Sequence, residues 1–202
     1  LPGTYSLTAY SVEEIVSRDF LTSQRPDVVI NIVDASNLER NLYLTTQFLE
    51  MGVPLIIALN MIDVAKDRGI EVRAEKLEEL LGIPVVPIIA RTGQGTEELV
   101  RQGVAVAGSE KTWSPKDISY GEDLDEVLME IDAIISDASF LTETYPPHFT
   151  AIKYLEHDDQ ILLQGQETDT VTAKKLEQRV GVISDHLLKT MDAYPEAIIA
   201  DH

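Results

Sequence analysis

An asparagine and an aspartate three residues apart, Asn60 and Asp63, directly follow the apolar run 54–59. Such a run predicts a buried strand, and open α/β sheets bind their ligands beyond the carboxyl ends of their strands. An ionised aspartate only accepts hydrogen bonds, and guanine offers it a ring N–H beside an exocyclic amine. Adenine offers one donor and one acceptor on that edge, so a carboxylate at position 63 would favour guanine. Taken alone, this short pattern is better explained by Asp63 capping the next helix.

The first four residues, Leu1-Pro2-Gly3-Thr4, form a second segment of interest. Many GTP-binding proteins carry Asp-x-x-Gly at such a place, with the glycine amide facing the γ-phosphate. Glycine suits that position because backbone without a Cβ approaches a phosphate closely. We therefore expect Gly3 to contact nucleotide and residues 1–4 to form a switch. The structural alternative is an ordinary Pro-Gly turn.

A glycine-containing loop at 87–95 is the third segment, and it follows another short apolar run. Small residues there would let backbone amides reach the edge of a base, which assigns Ala90, Arg91 and Thr92 to the same site. Two alternatives remain open for the Arg91 side chain, which would either lie over a purine ring or be solvated. A loop that only leads into a helix with Thr96 as its N-cap explains the same residues.

The chain as a whole resembles the cytosolic GTPase part of the ferrous iron transport protein B family. Met61 is part of the likeness, since most small GTPases have lysine at this place. A later segment is similar, more loosely, to the helical domain that follows the GTPase domain in this family. The matching segments are LPGTYSL at 1–7, VDASNLERNLYLTTQFLEMG at 33–52, NMID at 60–63, ARTGQG at 90–95 and PHFTAIKYLE at 147–156.

The resemblance implies a GTPase that hydrolyses GTP to GDP and phosphate and regulates ferrous iron transport. Magnesium is expected beside the nucleotide, with its ligands mostly upstream of Leu1. Many GTPases have a water-orienting Gln where this chain has the shorter Thr4, so we expect slow turnover and assign no catalytic residue. The GTP-binding residues implied by the resemblance are Gly3, Asn60, Met61, Asp63, Ala90, Arg91 and Thr92.

The resemblance also implies where such a chain works. Its partner would be the membrane transport domain of the same polypeptide, at the cytoplasmic face of the bacterial inner membrane. The helical domain would sense the state of the switch and pass it to that membrane domain. Assembly into a homo-oligomer is left open.

Alternating strand and helix signals in the first half predict a parallel α/β sheet, which in terms of the resemblance is a Ras-like P-loop GTPase domain. We assign residues 1–108 to this domain and residues 109–202 to an all-α helical domain. The GxxxxGK[ST] phosphate-binding loop does not occur in the 202 residues. We therefore expect the GTPase domain to be N-terminally incomplete, with residues before Leu1 supplying that loop and the central strand.

Periodicity and capping signals give the individual elements. Ser11 and Glu14 predict a capping box at the start of a helix, and Gly52 and Gly82 predict helix ends. The stretch 64–69 is short and charged and is given no element. The predicted strands are 27–33, 54–59 and 84–89. The other predicted helices are 39–51, 73–81, 96–106, 124–139, 148–156, 159–164 and 172–194. The last of them has an apolar stripe that we assign to the core of a helical bundle, the alternative being a regulatory surface that docks onto the GTPase domain; its members are Leu176, Val180, Ile183, Leu187 and Met191.

Composition narrows the classes of function. With 16 basic against 35 acidic residues the net charge is −19, which disfavours nucleic acid as a partner and a GTPase role in ribosome or RNA maturation. There is no cysteine, and the four histidines match no ligand spacing, so we expect no iron or other metal site. The alternative function is a non-catalytic interaction module, a degenerate GTPase fragment that binds a protein partner.

Overall fold

The computed structural model describes residues 4, 6–8, 11–109, 113–116 and 118–201, without the side chains of 191 and 201. Contacts within the chain define two compact units. One unit is an α/β sheet domain spanning residues 24–114. The other joins the N-terminal residues up to 23 to residues from 115 onward and is helical. Leu1, Pro2 and Gly3, which were predicted to belong to the switch, lie outside the described residues.

Three parallel strands form the sheet of the α/β unit, in the order β1-β2-β3. The middle one of these three strands is apolar along its length, and residues 55–59 are fully buried, as expected for a parallel strand covered on both faces. The strands are β1 (Val29–Asp34), β2 (Leu55–Asn60) and β3 (Val85–Pro87). The third is shorter than predicted because Ile89 pairs with Gln94 within the following loop.

Four helices accompany this sheet, and two of them end as the glycines predict. Gly52 and Gly82 adopt φ 69° and 65°, a left-handed backbone that glycine reaches without a Cβ clash. The short charged stretch after Asp63 forms a helix that was not predicted from the sequence. The helices are α2 (Leu38–Met51), α3 (Ile62–Asp67), α4 (Ala74–Leu81) and α5 (Thr96–Ala107).

Thr96 does not cap α5, so that alternative prediction is wrong. Gly95 occupies the N-cap position at φ 80°, and Thr96 is the first helical residue, with its hydroxyl donating to Gly93 O at 2.7 Å. A Cβ on Gly95 would lie 2.3 Å from Pro87 O. The close approach of two backbone segments therefore requires glycine at this corner.

The helical unit contains α1 (Val12–Gln24), α6 (Glu122–Asp137), α7 (Pro147–Leu155), α8 (Asp159–Thr168), α9 (Thr170–Met191) and α10 (Pro195–Asp201). The predicted capping box is confirmed, because Glu14 N donates to Ser11 Oγ at 3.3 Å and Ser11 N donates to Glu14 Oε2 at 3.0 Å. The predicted last helix, 172–194, corresponds to α9, which ends earlier because Asp192 takes φ 54°. The helix α10 begins at Pro195 and was not predicted from the sequence. None of the helices in the described part of the chain is long and apolar enough to cross a membrane.

The apolar stripe of α9 is core, as predicted. Leu176, Val180, Ile183 and Leu187 are all buried, and α9 contacts α6, α7 and α8. Burying each such side chain contributes about 1.5–3 kcal/mol. The fifth predicted member, Met191, has no described side chain.

Buried polar contacts explain why α1 packs with the C-terminal helices. Arg18 donates to Asp158 Oδ2 at 2.7 Å, and both side chains are almost fully buried. Arg18 also donates to Leu7 O at 3.2 Å, and the Thr8 hydroxyl donates to Glu156 Oε2 at 3.0 Å. These bonds fix residues 6–8 and α1 to the start of α8.

Candidate functional site

The carboxyl ends of β1 and β2 lie side by side, because Asp34 and Asn60 are register partners. Asp34 has a structural role at this edge. Its Oδ1 accepts from Ser36 N at 2.8 Å and caps the short 3-10 turn that follows β1. The polar groups left for a ligand at this edge therefore come from the loops after β2 and β3.

Asn60 ties those two loops together. Its Oδ1 accepts a hydrogen bond from Ala90 N at 3.0 Å, one strand away across the sheet. Ile88 N donates to Leu59 O at 2.8 Å, so main-chain and side-chain bonds together fix the loop after β3. The Ala90 amide, predicted to reach a base, is used by this link instead.

Asp63 lies in the first turn of α3, three residues beyond the strand end. Its Oδ2 accepts from Arg91 Nη2 at 2.9 Å, with the Asp63 side chain 24% and the Arg91 side chain 78% exposed. The hydrogen bond from Arg91 is the main cause that lowers the pKa of the Asp63 carboxyl below its ordinary value of 3.8. Asp63 is therefore ionised at neutral pH and acts only as a hydrogen-bond acceptor.

Met61 sets the direction of the chain between the two polar residues. It has φ 61° and ψ 29°, a left-handed conformation that is uncommon for a residue with a side chain. The turn lets α3 begin immediately, with Ala65 N donating to Met61 O at 3.0 Å. Asn60 and Asp63 are thereby held on the same short segment.

The loop after β3 is held by its own hydrogen bonds. Thr92 N and Gly93 N both donate to Ile89 O at 3.0 Å, and the Thr92 hydroxyl donates to the same oxygen at 3.1 Å. Gly93 has φ 79°, which places another turn in the left-handed region. Thr92 thus shapes the loop that presents Arg91 to Asp63.

The structure brings together Asn60, Met61, Asp63, Ala90, Arg91 and Thr92 from the predicted set. Thr4 belongs to the helical unit, where its hydroxyl lies 2.9 Å from Ser17 Oγ. The Arg91–Asp63 ion pair was not predicted from the sequence. Opposite charges in loops that follow neighbouring strands are the signal that could have indicated it.

Two grooves on the surface of the α/β unit are formed by residues other than Asn60, Asp63 and Arg91. A groove of about 720 Å³ is lined by the segments 35–39 and 70–73 and by part of α4. Another of about 440 Å³ borders α3 on Ile62, Ala65 and Lys66. The described residues include no group of three or more histidines or carboxylates placed to hold a metal ion.

A parallel sheet with Asn-x-x-Asp at one strand end and a glycine-containing loop at the next is typical of an α/β domain of the Ras-like GTPase class. Two family models match the chain, ferrous iron transport protein B over residues 1–103 and the FeoB cytosolic helical domain over residues 120–202. The chain belongs to the ferrous iron transport protein B family. The resemblance and the fold class inferred from the sequence are both confirmed.

Individual relatives agree with this assignment. The Fe(2+) transport protein A/Fe(2+) transporter FeoB fusion protein of Porphyromonas gingivalis is 38% identical over 205 residues, an alignment that covers 100% of this chain and 24% of that protein. The chain therefore spans about a quarter of the length of this curated relative.

Solved structures of FeoB cytosolic domains have the same fold. An S. thermophilus NFeoB mutant bound to GDP shares 33% identity, with a TM-score of 0.79 over 98% of this chain and 74% of that one. The cytosolic domain of the T. maritima FeoB iron transporter in its GMPPNP form shares 31% identity, with a TM-score of 0.72 over 92% of this chain and 77% of that one.

Proposed function

We propose that this chain binds guanine nucleotides and hydrolyses GTP as the cytosolic regulatory part of a ferrous iron transporter. The observation that carries the proposal is the pairing of two loops at one sheet edge, where Asn60 binds Ala90 and Asp63 binds Arg91. The GDP and GMPPNP forms of similar solved proteins support it.

Asp63 is the residue that reads the base in this proposal. An ionised carboxylate with two oxygens accepts from both the ring N–H and the exocyclic amine of guanine. Adenine would place an acceptor against one of those oxygens, and the lost hydrogen bond would cost affinity. With a pKa below its ordinary value of 3.8, the Asp63 carboxyl is ionised throughout the neutral range.

The other predicted site residues support Asp63. Asn60 and Ala90 hold the two loops at a fixed separation through their hydrogen bond. Met61 and Thr92 shape the two loops by their backbone turn and internal bonds.

The residues proposed to contact the phosphates of the nucleotide are assigned from the family resemblance. Gly3 would contact the γ-phosphate, and residues 1–4 would be released when that phosphate is lost, an order-to-disorder switch. Magnesium would accompany the phosphates, and none of the described residues is assigned as its ligand. Slow hydrolysis is expected because Thr4 is too short to orient water as a Gln does.

The regulatory role places the chain at the cytoplasmic face of the bacterial inner membrane. The membrane transport domain of the same polypeptide is the proposed partner, and the P. gingivalis relative carries such a transporter in one protein with a matching segment. The net charge of −19 argues against nucleic acid as a partner. Homo-oligomer formation stays a prediction.

Exchanging the acceptor for a donor tests base reading. In Asp63→Asn, the amide places a donor against guanine but suits xanthine, which has a carbonyl oxygen in place of the exocyclic amine. We expect GDP affinity to fall about 10- to 100-fold and xanthosine diphosphate affinity to rise, since a charged hydrogen bond is replaced by a mismatch.

The measurement is calorimetric titration of the natural polypeptide that carries these residues, with GDP, xanthosine diphosphate and ADP. Asp67→Asn is the matched control, because Asp67 is an exposed acid at the end of the same helix. Unchanged base preference in Asp63→Asn would contradict the proposal. Absence of any nucleotide binding would support the interaction module instead.

A further inference from the structure

The Arg91 side chain is hydrogen-bonded to the Asp63 carboxylate, the group that is proposed to recognise the base. Its Nη2 lies 2.9 Å from Asp63 Oδ2, and this bond joins the loop after β3 to the first turn of α3. Guanine needs both carboxylate oxygens, so a base entering this site meets one oxygen already bound to a cation.

Arg91 and guanine offer Asp63 similar chemistry. A guanidinium is a planar N–C–N group that carries N–H donors on adjacent nitrogens. The guanine edge is also an N–C–N group with a ring N–H and an amine. The same carboxylate therefore accepts either one, and the arginine is an internal competitor with the donor pattern of the ligand.

The loop after β3 holds the Arg91 side chain close to Asp63 without burying it. Asn60 Oδ1 holds the amide of the preceding residue, Ala90, at 3.0 Å. Glycines at 93 and 95, both at positive φ, allow the left-handed turns of the loop that follows. The Arg91 side chain itself is 78% exposed, so it can leave the carboxylate for solvent without breaking packing.

We propose that Arg91 competes with the guanine base for Asp63 and so weakens nucleotide binding, because the base can pair with the carboxylate only when the arginine has left it. This inference rests on the proposed function. Because the base is common to GDP and GTP, the competition lowers the affinity for both by the same factor. Arg91 thus lowers the overall affinity for guanine nucleotides and leaves the preference between GTP and GDP unchanged.

The test removes the guanidinium and measures nucleotide affinity and association. In Arg91→Ala, we expect the Kd for GDP to fall about two- to five-fold, the range expected for an exposed ion pair. The change should come mainly from faster apparent association, measured by mixing the protein with a fluorescent GDP, and should be equal for GMPPNP. Arg101→Ala is the control, because Arg101 forms an exposed ion pair with Glu98 in α5 and has no contact with Asp63.

A measurement without nucleotide separates this inference from the proposed function. Carboxyl NMR should show the Asp63 pKa rising toward its ordinary value in Arg91→Ala, which verifies that the ion pair exists. If the pKa rises and the Kd for GDP is unchanged or increases, Arg91 does not compete and the inference is wrong. If neither the wild type nor Arg91→Ala prefers guanine nucleotides over adenine nucleotides, the proposed function itself is wrong.

Discussion

Two arginine–aspartate pairs in this molecule have nearly the same bond length and opposite surroundings. Arg18 and Asp158 are joined at 2.7 Å in the helical unit with side chains 1% and 0% exposed, whereas Arg91 and Asp63 are joined at 2.9 Å in the α/β unit and are open to solvent. A buried charge that loses its partner remains out of water, but an exposed one is rehydrated. The first pair is therefore structural, and the second can exchange its partner for a ligand.

The largest expected effect comes from breaking the buried pair. Asp158→Ala should lower the free energy of unfolding by about 3–5 kcal/mol, because Arg18 would be left as an uncompensated buried charge. The loss includes the cap of α8, where Ile161 N donates to Asp158 Oδ1 at 3.0 Å. Urea denaturation measures the change.

Two controls keep this prediction specific. Asp159→Ala, at the exposed neighbouring acid, should cost less than about 1 kcal/mol, the scale of a helix-terminus charge effect. Asp63→Ala should move the urea midpoint far less than Asp158→Ala. Equal losses at Asp158 and Asp63 would remove the contrast between the two pairs.

A second prediction concerns the loop that presents Arg91. Gly95→Ala should cost about 2–5 kcal/mol, because an added Cβ meets Pro87 O at 2.3 Å and the backbone is left-handed. The unfolding free energy of the α/β unit is the quantity to measure.

Gly69→Ala separates the two causes of that loss. Gly69 has φ 74°, and no atom beyond its two chain neighbours lies within 4 Å of the place that an added Cβ would occupy. Its substitution should therefore cost only the backbone strain of about 1–2 kcal/mol. Equal costs at Gly95 and Gly69 would show that the contact with Pro87 is not what requires glycine.

The smallest expected effect is a pH dependence of the exposed pair. The pKa of Asp63 is lowered mainly by its hydrogen bond with Arg91, so the pair stabilises the fold above the ordinary value of 3.8 and loses this contribution as pH falls through the lower folded value. The difference in urea midpoint between wild type and Asp63→Asn should therefore close in that acid range. A difference that grows on acidification would contradict the ion pair.

The features that sequence reasoning predicted are those set by local signals. Ser11 and Glu14 form the capping box that their spacing indicates, and Gly52 and Gly82 end helices where they were expected. The strand β2 follows from an apolar run alone. In each case the residues that determine the structure are neighbours in the chain.

The features that were missed depend on distant or backbone-specific contacts. Arg18 and Asp158 are 140 residues apart, so local patterns carry no sign that α1 packs with the C-terminal helices. The N-cap at Gly95 depends on the position of Pro87 O. The domain boundary at 108 and 109 stays a prediction, and the two family models leave the interval between 103 and 120 unmatched.

A crystal structure of the natural polypeptide with GDP would test base reading by Asp63 without an intermediate assay. We expect both Asp63 carboxylate oxygens to lie about 2.7–3.2 Å from the guanine ring nitrogen and exocyclic amine, with Arg91 turned away. A structure in which the base lies elsewhere and Asp63 is still bound to Arg91 would contradict base reading by this carboxylate.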